Sequence, residues 1–590
     1  MPTANATVVI NNSAVQKKPT ANYWPLFIIL AYYLLSIVIV NPVGNFPQND
    51  DWVYGQAART FMLTGQIDLP TTCSACILHV CLGGAISKLF GFSYTVLRAT
   101  TLVLGAISAI AAYFVFLELQ VNKKLACIFT LLYIGNPLVL NLCFSFMTDI
   151  PSFAFINLYF LFLLRGIKGN SVSAYALSSL SLMAAILVRQ GSAVFVAANI
   201  CLLLIYWLKK KNSWTVSIGL VALPTILFVA LSRWLLIADR LSDSYLWFAN
   251  LHQQFFHYCS HHLVQASSIL VVMLGQAACY YGLYLIPILL PATVCLASLF
   301  SKRVKIAGIW FVLSSFIMAT SLTKLMMVDL LLMPFNENML RIPIVGAPNI
   351  LGLSIPKLSP KVRLWLTNIS GFFGFVLLSL LCAGWHRAIV LLARNFRLAK
   401  EVNRQKWSRS LVAIVVFVAM SVSVFAVVLE TAVLNVDRHN LLALMPLLMC
   451  LALIWRWLRL KTMPFVMGSL LVLLLCYSTA ASQDNLSWNR VRWQAAQELE
   501  AAGIKTSEID GGAEYDFDRD INLWLKTFHN VGRRSNPRNI WRWWLVHDDR
   551  YIISFSPVPG YETIASKTYF SALTLSNHQV LTLKRLPGVK

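Results

Sequence analysis

Apolar stretches of bilayer-spanning length recur from Trp24 to about Ala480, and they leave the chain few ways to fold. In hydrocarbon every backbone N–H and C=O must be bonded inside the protein, so runs of this length become helices. The expected fold class is a polytopic all-α membrane protein with about 13 transmembrane helices. The chain is 58% hydrophobic, with a mean hydropathy of +0.67. No soluble globular composition looks like this.

Charge orders the spans. Lys and Arg number 48 against 24 Asp and Glu, a formal net charge of +24. The basic residues fall in short loops: Lys123-Lys124, Lys209-Lys210-Lys211, Ser301-Lys302-Arg303, His386 to Arg409, and Arg456 to Lys461. Such loops stay on the cytoplasmic side. They are scattered between spans and form no single surface, so nucleic acid is not an expected partner; membrane lipids are. Residues 1–22 are polar and carry Lys17 and Lys18, and the apolar run behind them lacks a small-residue cleavage site, so it reads as a retained span.

The crossings expected from these signals lie near 24–40, 94–118, 125–144, 151–164, 172–188, 191–208, 215–235, 280–299, 306–323, 363–385, 410–430, 441–457 and 463–480. Segment 263–300 reads either as one span behind an interfacial helix or as a pair; one net crossing satisfies the charges. The loop 41–93 holds two segments, YGQAARTFMLTG and ILHVCLGGAISKLFG, that suit helices lying along the interface. Three regions follow: a cytoplasmic tail (1–23), a transmembrane domain (24–480) and a soluble extracytoplasmic domain (481–590). In the last, SQDNLSWNRVRWQAAQELEAAGI has a helical apolar face, while YIISF and SALTLSNHQVLTLKRL alternate like strands, which predicts a small α/β or α+β fold.

Carboxylates are scarce, and two groups sit at the same ends of the expected spans. Asp50-Asp51 lies in NFPQNDDWVY, and Asp149 in SFMTDIP. So close to hydrocarbon, a carboxylate is expensive unless something uses it. One acid acting as general base on a hydroxyl and a second orienting it would explain both; ordinary loop carboxylates are the plain alternative. Arg189, at an outer turn, and Arg438, in VDRHNLLALMP, are placed to hold a phosphate or to anchor in headgroups; Lys324 has the same two readings. His252, His257, His261 and His262 share one outer loop without a tight ligand pattern, so no cofactor is expected there, and a divalent cation stays open. Cys73 and Cys76 form a CSAC motif that suits a disulfide or two free thiols. No P-loop or dinucleotide fingerprint is present.

Asp50-Asp51-Trp52-Val53-Tyr54 followed by ARTFMLTG resembles the Asp-Glu-x-x-Tyr motif of polytopic GT-C glycosyltransferases, the bacterial aminoarabinose transferases and protein O-mannosyltransferases in particular. The second acid at Asp149, the span outline and the soluble tail extend the likeness. It implies transfer of a monosaccharide from a polyprenyl-phosphate donor to a glycolipid, glycan or protein hydroxyl, on the extracytoplasmic face of a bacterial inner membrane and with inversion. Carried over by position, Asp50 matches the acid-base residue, Asp51 stands where the family has Glu, Tyr54 matches an aromatic shaping the cavity, and Asp149 matches the second essential carboxylate. Arg438-His439 resembles a family Arg-Tyr segment. Relatives of the aminoarabinose type carry a phosphate-holding Lys where this chain has LPTTCSACILHV, so His79 or an Arg elsewhere has to substitute.

A transporter or lipid flippase is the alternative, since membrane carboxylates also line transport paths; inverted hydropathy repeats would favour it, and none is visible. The proline-rich loop 324–361 is expected either to close over the cavity or to serve as a partly ordered connector. In the tail, Trp524, Trp541, Trp543 and Trp544 are candidates for stacking on a sugar-bearing acceptor, with buried packing as the default reading.

Overall fold

The computed structural model describes residues 23–69, 72, 75–208, 214–238, 242–300, 314–315, 317–318, 360–397, 404–433, 437–460, 462–520 and 549–588. Lys324, Cys73, Asp239, most of the expected span 306–323, most of loop 324–361 and the four tail tryptophans lie outside the described residues.

The chain is mostly helical. In order come α1 (Trp24–Val40), α2 (Asp51–Thr64), α3 (Ile77–Phe90), α4 (Tyr94–Glu118), α5 (Lys123–Ile134), α6 (Pro137–Cys143), α7 (Asp149–Gly169), α8 (Val172–Val188) and α9 (Phe195–Leu208). Then follow α10 (Leu223–Ile237), α11 (Asp243–His261), α12 (Leu263–Tyr284), α13 (Ile286–Phe300), α14 (Pro360–Arg397), α15 (Arg404–Val433), α16 (Leu441–Leu458) and α17 (Pro464–Ala501). Nine helices among the described residues are long and apolar enough to cross a membrane, or ten if α5 and α6 form one bent span. The expected crossings α1 and α8 are present at 17 residues each, just short of that length.

Local chemistry explains most boundaries. Side-chain oxygens of Ser93, Asn122 and Ser171 accept the first free N–H groups of α4, α5 and α8. The span expected over 125–144 is instead broken: α5 and α6 meet at 67°. Asn136 caps the new helix through Leu138 and Val139 N–H, and Pro137 supplies a first residue that needs no N–H partner. The span expected over 151–164 starts earlier, at Asp149, because Pro151 is tolerated in a first turn. The polar loop expected after residue 235 contains a helix, α11, capped by Ser242. The basic segment His386 to Arg409, expected as a loop, continues α14 through Arg397; its Ala, Leu and Arg content favours helix. Expected crossing 280–299 is split at Leu285, with α12 supplying the long apolar helix and α13 following.

Helices α4, α7 and α8 pack side by side, α9 lies against α15, and α12 lies against α14. The last pair approaches closely because glycines meet: a Cβ on Gly282 would sit 2.5 Å from Gly374 N.

The boundary expected at 480/481 falls inside α17, which is unbroken from Pro464 to Ala501. Nothing from Ser469 onward in that run is Gly or Pro. Beyond it lie β1 (Ile509–Asp510), α18 (Ala513–Arg519), β2 (Tyr551–Ser554), β3 (Tyr561–Ser571) and β4 (Ser576–Arg585). The sheet order is β1-β2-β4-β3; β1 runs parallel to β2, and the other pairs are antiparallel. Its core joins Trp488 and Trp493 of α17 to Ile509, Tyr515, Ile553 and Val580, and also takes in Phe46 from the first loop.

Candidate functional site

The segment leading to Asp50 is pinned before it arrives. Arg98, fully buried in the first turns of α4, donates to the carbonyls of Pro42 (3.2 Å), Gly44 (2.8 Å) and Phe46. Its guanidinium also lies 4.4 Å from the Phe46 ring centroid. Thr95 and Asn45 add bonds to Gly44 N–H and Tyr94 N–H. The chain then enters α2 with Asp50 preceding the helix and Asp51 as its first residue.

The adjacent acids have different surroundings. Asp50 keeps 45% of its side chain exposed, and its Oδ2 accepts Arg438 Nη2 at 3.0 Å. Asp51 is completely buried and accepts backbone N–H groups from Phe146 (2.8 Å) and Gln48 (3.2 Å). Burial pushes the Asp51 carboxyl up to about 7, against the pull of nearby Arg98 and those two N–H bonds. Through Phe146, Asp51 ties the first loop to the turn that leads into α7 and Asp149.

Asp149 is buried at the start of α7 and forms an ion pair with Arg189, the residue that ends α8. Asp149 and Tyr54 also lie within electrostatic range of Arg438. Asp50, Asp149, Arg189, Arg438 and Tyr54 therefore occupy one neighbourhood, although they come from α2, α7, α8 and the turn Asp437–Asn440 before α16.

His79 lies beside this group, stacked on Phe146 at 3.9 Å and bonded through Nε2 to the Phe146 carbonyl at 3.0 Å. Tyr54 meets its ring edge-on at 5.8 Å. Burial lowers His79 to about 4, so its imidazole is neutral near pH 7. The positive charges beside it are those of Arg189 and Arg438. His439 Nδ1 lies 3.8 Å from Glu430 Oε2.

Glu430 is the acid that the sequence reading passed over. It is the one carboxylate within 404–433, and it faces Arg189 as well as His439. Its isolation in an apolar run was the available signal. Arg98 was missed for the same reason: it stands alone inside a span. The four histidines after residue 250 lie on or at the end of α11, with the His257 and His261 rings 4.2 Å apart. Among the described residues no three His, Cys, Asp or Glu side chains are grouped to hold a metal ion.

An apolar cavity of about 370 Å³ opens between α12, α14, α15 and α16. Leu274, Tyr281, Leu381, Trp385, Met420 and Phe425 line it. Tyr281 donates its hydroxyl to the Asn440 carbonyl, two residues from Arg438, which connects the cavity wall to the charged group.

Residues 77–234 match the family model described as dolichyl-phosphate-mannose-protein mannosyltransferase. His79, Asp149 and Arg189 lie inside that match; Asp50, Asp51, Tyr54, Arg438 and His439 lie outside it. No curated protein matches the chain. Among solved structures, the Saccharomyces cerevisiae protein O-mannosyltransferase complex bound to the sugar donor is 14% identical, with 38% of this chain and 34% of that one covered and a TM-score of 0.30. The chain thus spans about a third of that relative's length. ArnT from Cupriavidus metallidurans bound to undecaprenyl phosphate is 13% identical over 95% of this chain and 98% of that one, with a TM-score of 0.37. AglB, an archaeal oligosaccharyltransferase from Archaeoglobus fulgidus, in complex with an inhibitory peptide and a dolichol-phosphate, is 14% identical over 82% and 60%, with a TM-score of 0.37. The GT-C glycosyltransferase resemblance, first read from the Asp50 and Asp149 segments, is supported by the independent family match over residues 77–234.

Proposed function

We propose that the chain is a membrane glycosyltransferase that moves a monosaccharide from a polyprenyl-phosphate donor to a hydroxyl of a glycolipid or glycan, on the face where the carboxylates lie, with inversion. The observation that carries this reading is the pairing of each working carboxylate with a guanidinium: Asp50 with Arg438, and Asp149 with Arg189. The family match and the apolar cavity beside Asn440 support it, because the donor brings a phosphate on a long apolar tail.

The roles divide by exposure. Asp50 is the acid an acceptor can reach. Its carboxylate takes the hydroxyl proton as the acceptor oxygen bonds to the anomeric carbon. The bond from that carbon to phosphate breaks, and the phosphate leaves with the electron pair. Arg438 and Arg189 offset the charge that develops there. An arriving donor phosphate competes for Arg438 and so frees Asp50 Oδ2, which the ion pair occupies, to meet the acceptor hydroxyl. Asp149 is buried and orients Arg189. Asp51 holds the two loops in register through Phe146, and Tyr54 with His79 forms the wall beside them. The orientation that fits puts basic loops in the cytoplasm and the sheet of the tail outside, over the carboxylates, as in a bacterial inner membrane.

The test uses purified full-length protein in detergent, a radiolabelled polyprenyl-phosphate sugar, and membrane glycolipids and glycans from a strain lacking the gene. Labelled acceptor, accompanied by free polyprenyl phosphate, is the expected result. Transport of the donor across vesicles without any glycosidic bond formed would overturn the reading in favour of a transporter. Label found only on protein would keep the transferase and replace its acceptor.

A further inference from the structure

The carboxylates sit at the start of α4; its 25 residues carry the chain about 38 Å to the far end of the bundle. There the turn from α4 to α5 faces the turn from α16 to α17. Between them lies a cavity of about 600 Å³, lined among others by Gln120, Asn122, Leu125, Trp455, Arg456 and Arg459. None of the proposed transfer chemistry uses it.

The charges at this cavity are arranged for an anion. Arg456 Nη1 donates to the Leu119 carbonyl (2.6 Å) and Gln120 Oε1 (3.2 Å), which fixes the guanidinium at the cavity wall. Arg459 follows at the end of α16 in the left-handed region, φ 51° and ψ 44°, where glycine is the usual residue. Arg459 is exposed, and among the described residues its guanidinium has no hydrogen bond or ion pair. The nearby carboxylate, Glu118, is already engaged by Arg165 (3.0 Å) and Lys168 (2.8 Å), and no acid lines the cavity. Leu125, Trp455 and Leu460 supply apolar walls at the ends of their spans.

We propose that this cavity binds the phosphodiester of an anionic membrane lipid, with Arg456 and Arg459 on the phosphate and the apolar walls against the start of the acyl chains. The shared chemistry is a phosphate group; the walls and the position at span ends favour a lipid as its source over free phosphate.

Native mass spectrometry of the full-length protein in detergent, titrated with phosphatidylglycerol or phosphatidylcholine, tests this. Phosphatidylglycerol is expected to saturate one tight site, and phosphatidylcholine to bind weakly. Arg459→Gln, a change at an exposed side chain that bonds nothing among the described residues, should weaken the tight site about five-fold, the effect of one lost surface charge attraction. Arg456→Gln with Arg459→Gln should abolish it. Arg165→Gln removes the same charge at the same end, where the guanidinium is committed to Glu118, and should leave it unchanged. If Arg165→Gln weakens binding as much as Arg459→Gln, the attraction is diffuse and the site does not exist. Equal binding of the two lipids, or undiminished binding by Arg459→Gln, would overturn it too. Displacement of phosphatidylglycerol by a moderate excess of inorganic phosphate would reassign the cavity to the free ion and overturn the lipid.

Discussion

Two groups of acids lie close together near one end of the molecule, and they are built on opposite plans. In the first, Asp50 and Asp149 each face an arginine, and Asp50 remains half exposed. In the second, in the tail, Asp510, Glu514 and Asp516 crowd around the single buried arginine Arg492, which bonds Glu514 at 3.0 Å. The second group is closed: Gly511 and Gly512 N–H groups turn back onto Asp516 and Asp510. The charge balance also differs. The first group matches each carboxylate with its own guanidinium. The second has more acids than its arginine can neutralise, so burial and the Asp510 charge push Asp516 well above the usual carboxylate range. A cluster of acids is therefore not a site by itself; access and a shared cation make it one.

The sharpest way to break this comparison is to neutralise an acid in the first group. Asp50→Asn should lower transfer by about 10²- to 10⁴-fold, the usual range for a lost general base. Thermal stability should barely change, because Asp50 is half exposed. Asp149→Asn should lose activity as well, through a misplaced Arg189. Full turnover in both variants would show that the paired acids are bystanders. Arg438→Gln comes next, with an expected loss of about 10²- to 10³-fold in kcat, as for other donors to a developing anion. Measuring the donor KM in the same assay separates its two roles: if only KM rises, Arg438 binds the ground-state phosphate and does not act on the leaving group.

How far this arrangement was legible in the sequence depended on whether one residue's pattern carried it. Asp50 and Asp149 stood out because acids are scarce and both lie at span ends. Arg189 and Arg438 were visible at outer turns, yet only the folded chain pairs each with a particular acid across 40 and 388 residues. Span ends such as 94–118 followed directly from hydropathy and the Ser93 cap. The bend at Gly135–Pro137 was written in the sequence as a cap and a proline, and hydropathy averaged across it. The run of α17 past residue 480 was hidden because polarity changes there while helix-forming residues do not. His79 was misleading in another way: its charge depends on burial, which no local pattern reveals.

A smaller effect should come from the residue that holds Asp50's approach. Arg98→Met leaves the carbonyls of Pro42, Gly44 and Phe46 without their donor and should loosen residues 42–50. A misplaced base typically loses about ten- to a hundred-fold in kcat, and here donor KM should stay near its original value. A titration readout distinguishes this from general damage. Asp51 has its folded value raised to about 7, so between about pH 4 and 7 the native state holds a proton that the unfolded chain has released. Its contribution to stability therefore falls as pH rises through that window. Arg98 pulls Asp51 downward, so Arg98→Met should extend the decline above pH 7. Arg98→Lys, which keeps the charge and loses the fork, should restore the pH profile more completely than the rate. If the pH profile of Arg98→Met is unchanged, Arg98 does not act on this pair of acids.

The smallest expected effect belongs to the second group, and it is the control the comparison needs. Asp516 is buried with one oxygen, Oδ1, accepting Gly511 N–H at 3.1 Å, while Oδ2 has no hydrogen-bond partner among the described residues. Its folded value is raised, so the native chain binds more protons than the unfolded chain above the ordinary carboxylate range, and stability contributed here declines as pH rises. Asp516→Asn keeps the Gly511 bond through its amide oxygen and removes the ionisation. Thermal midpoints should therefore lie nearest the parent's at the acid end of the ordinary carboxylate range and exceed it by a margin that grows as the pH rises to 8. Transfer activity should not change, since no acceptor can reach a carboxylate closed behind Gly511 and Arg492. A large loss of activity in Asp516→Asn, with the midpoint intact, would mean that the tail's acids take part in the chemistry after all, and that access does not separate the two groups.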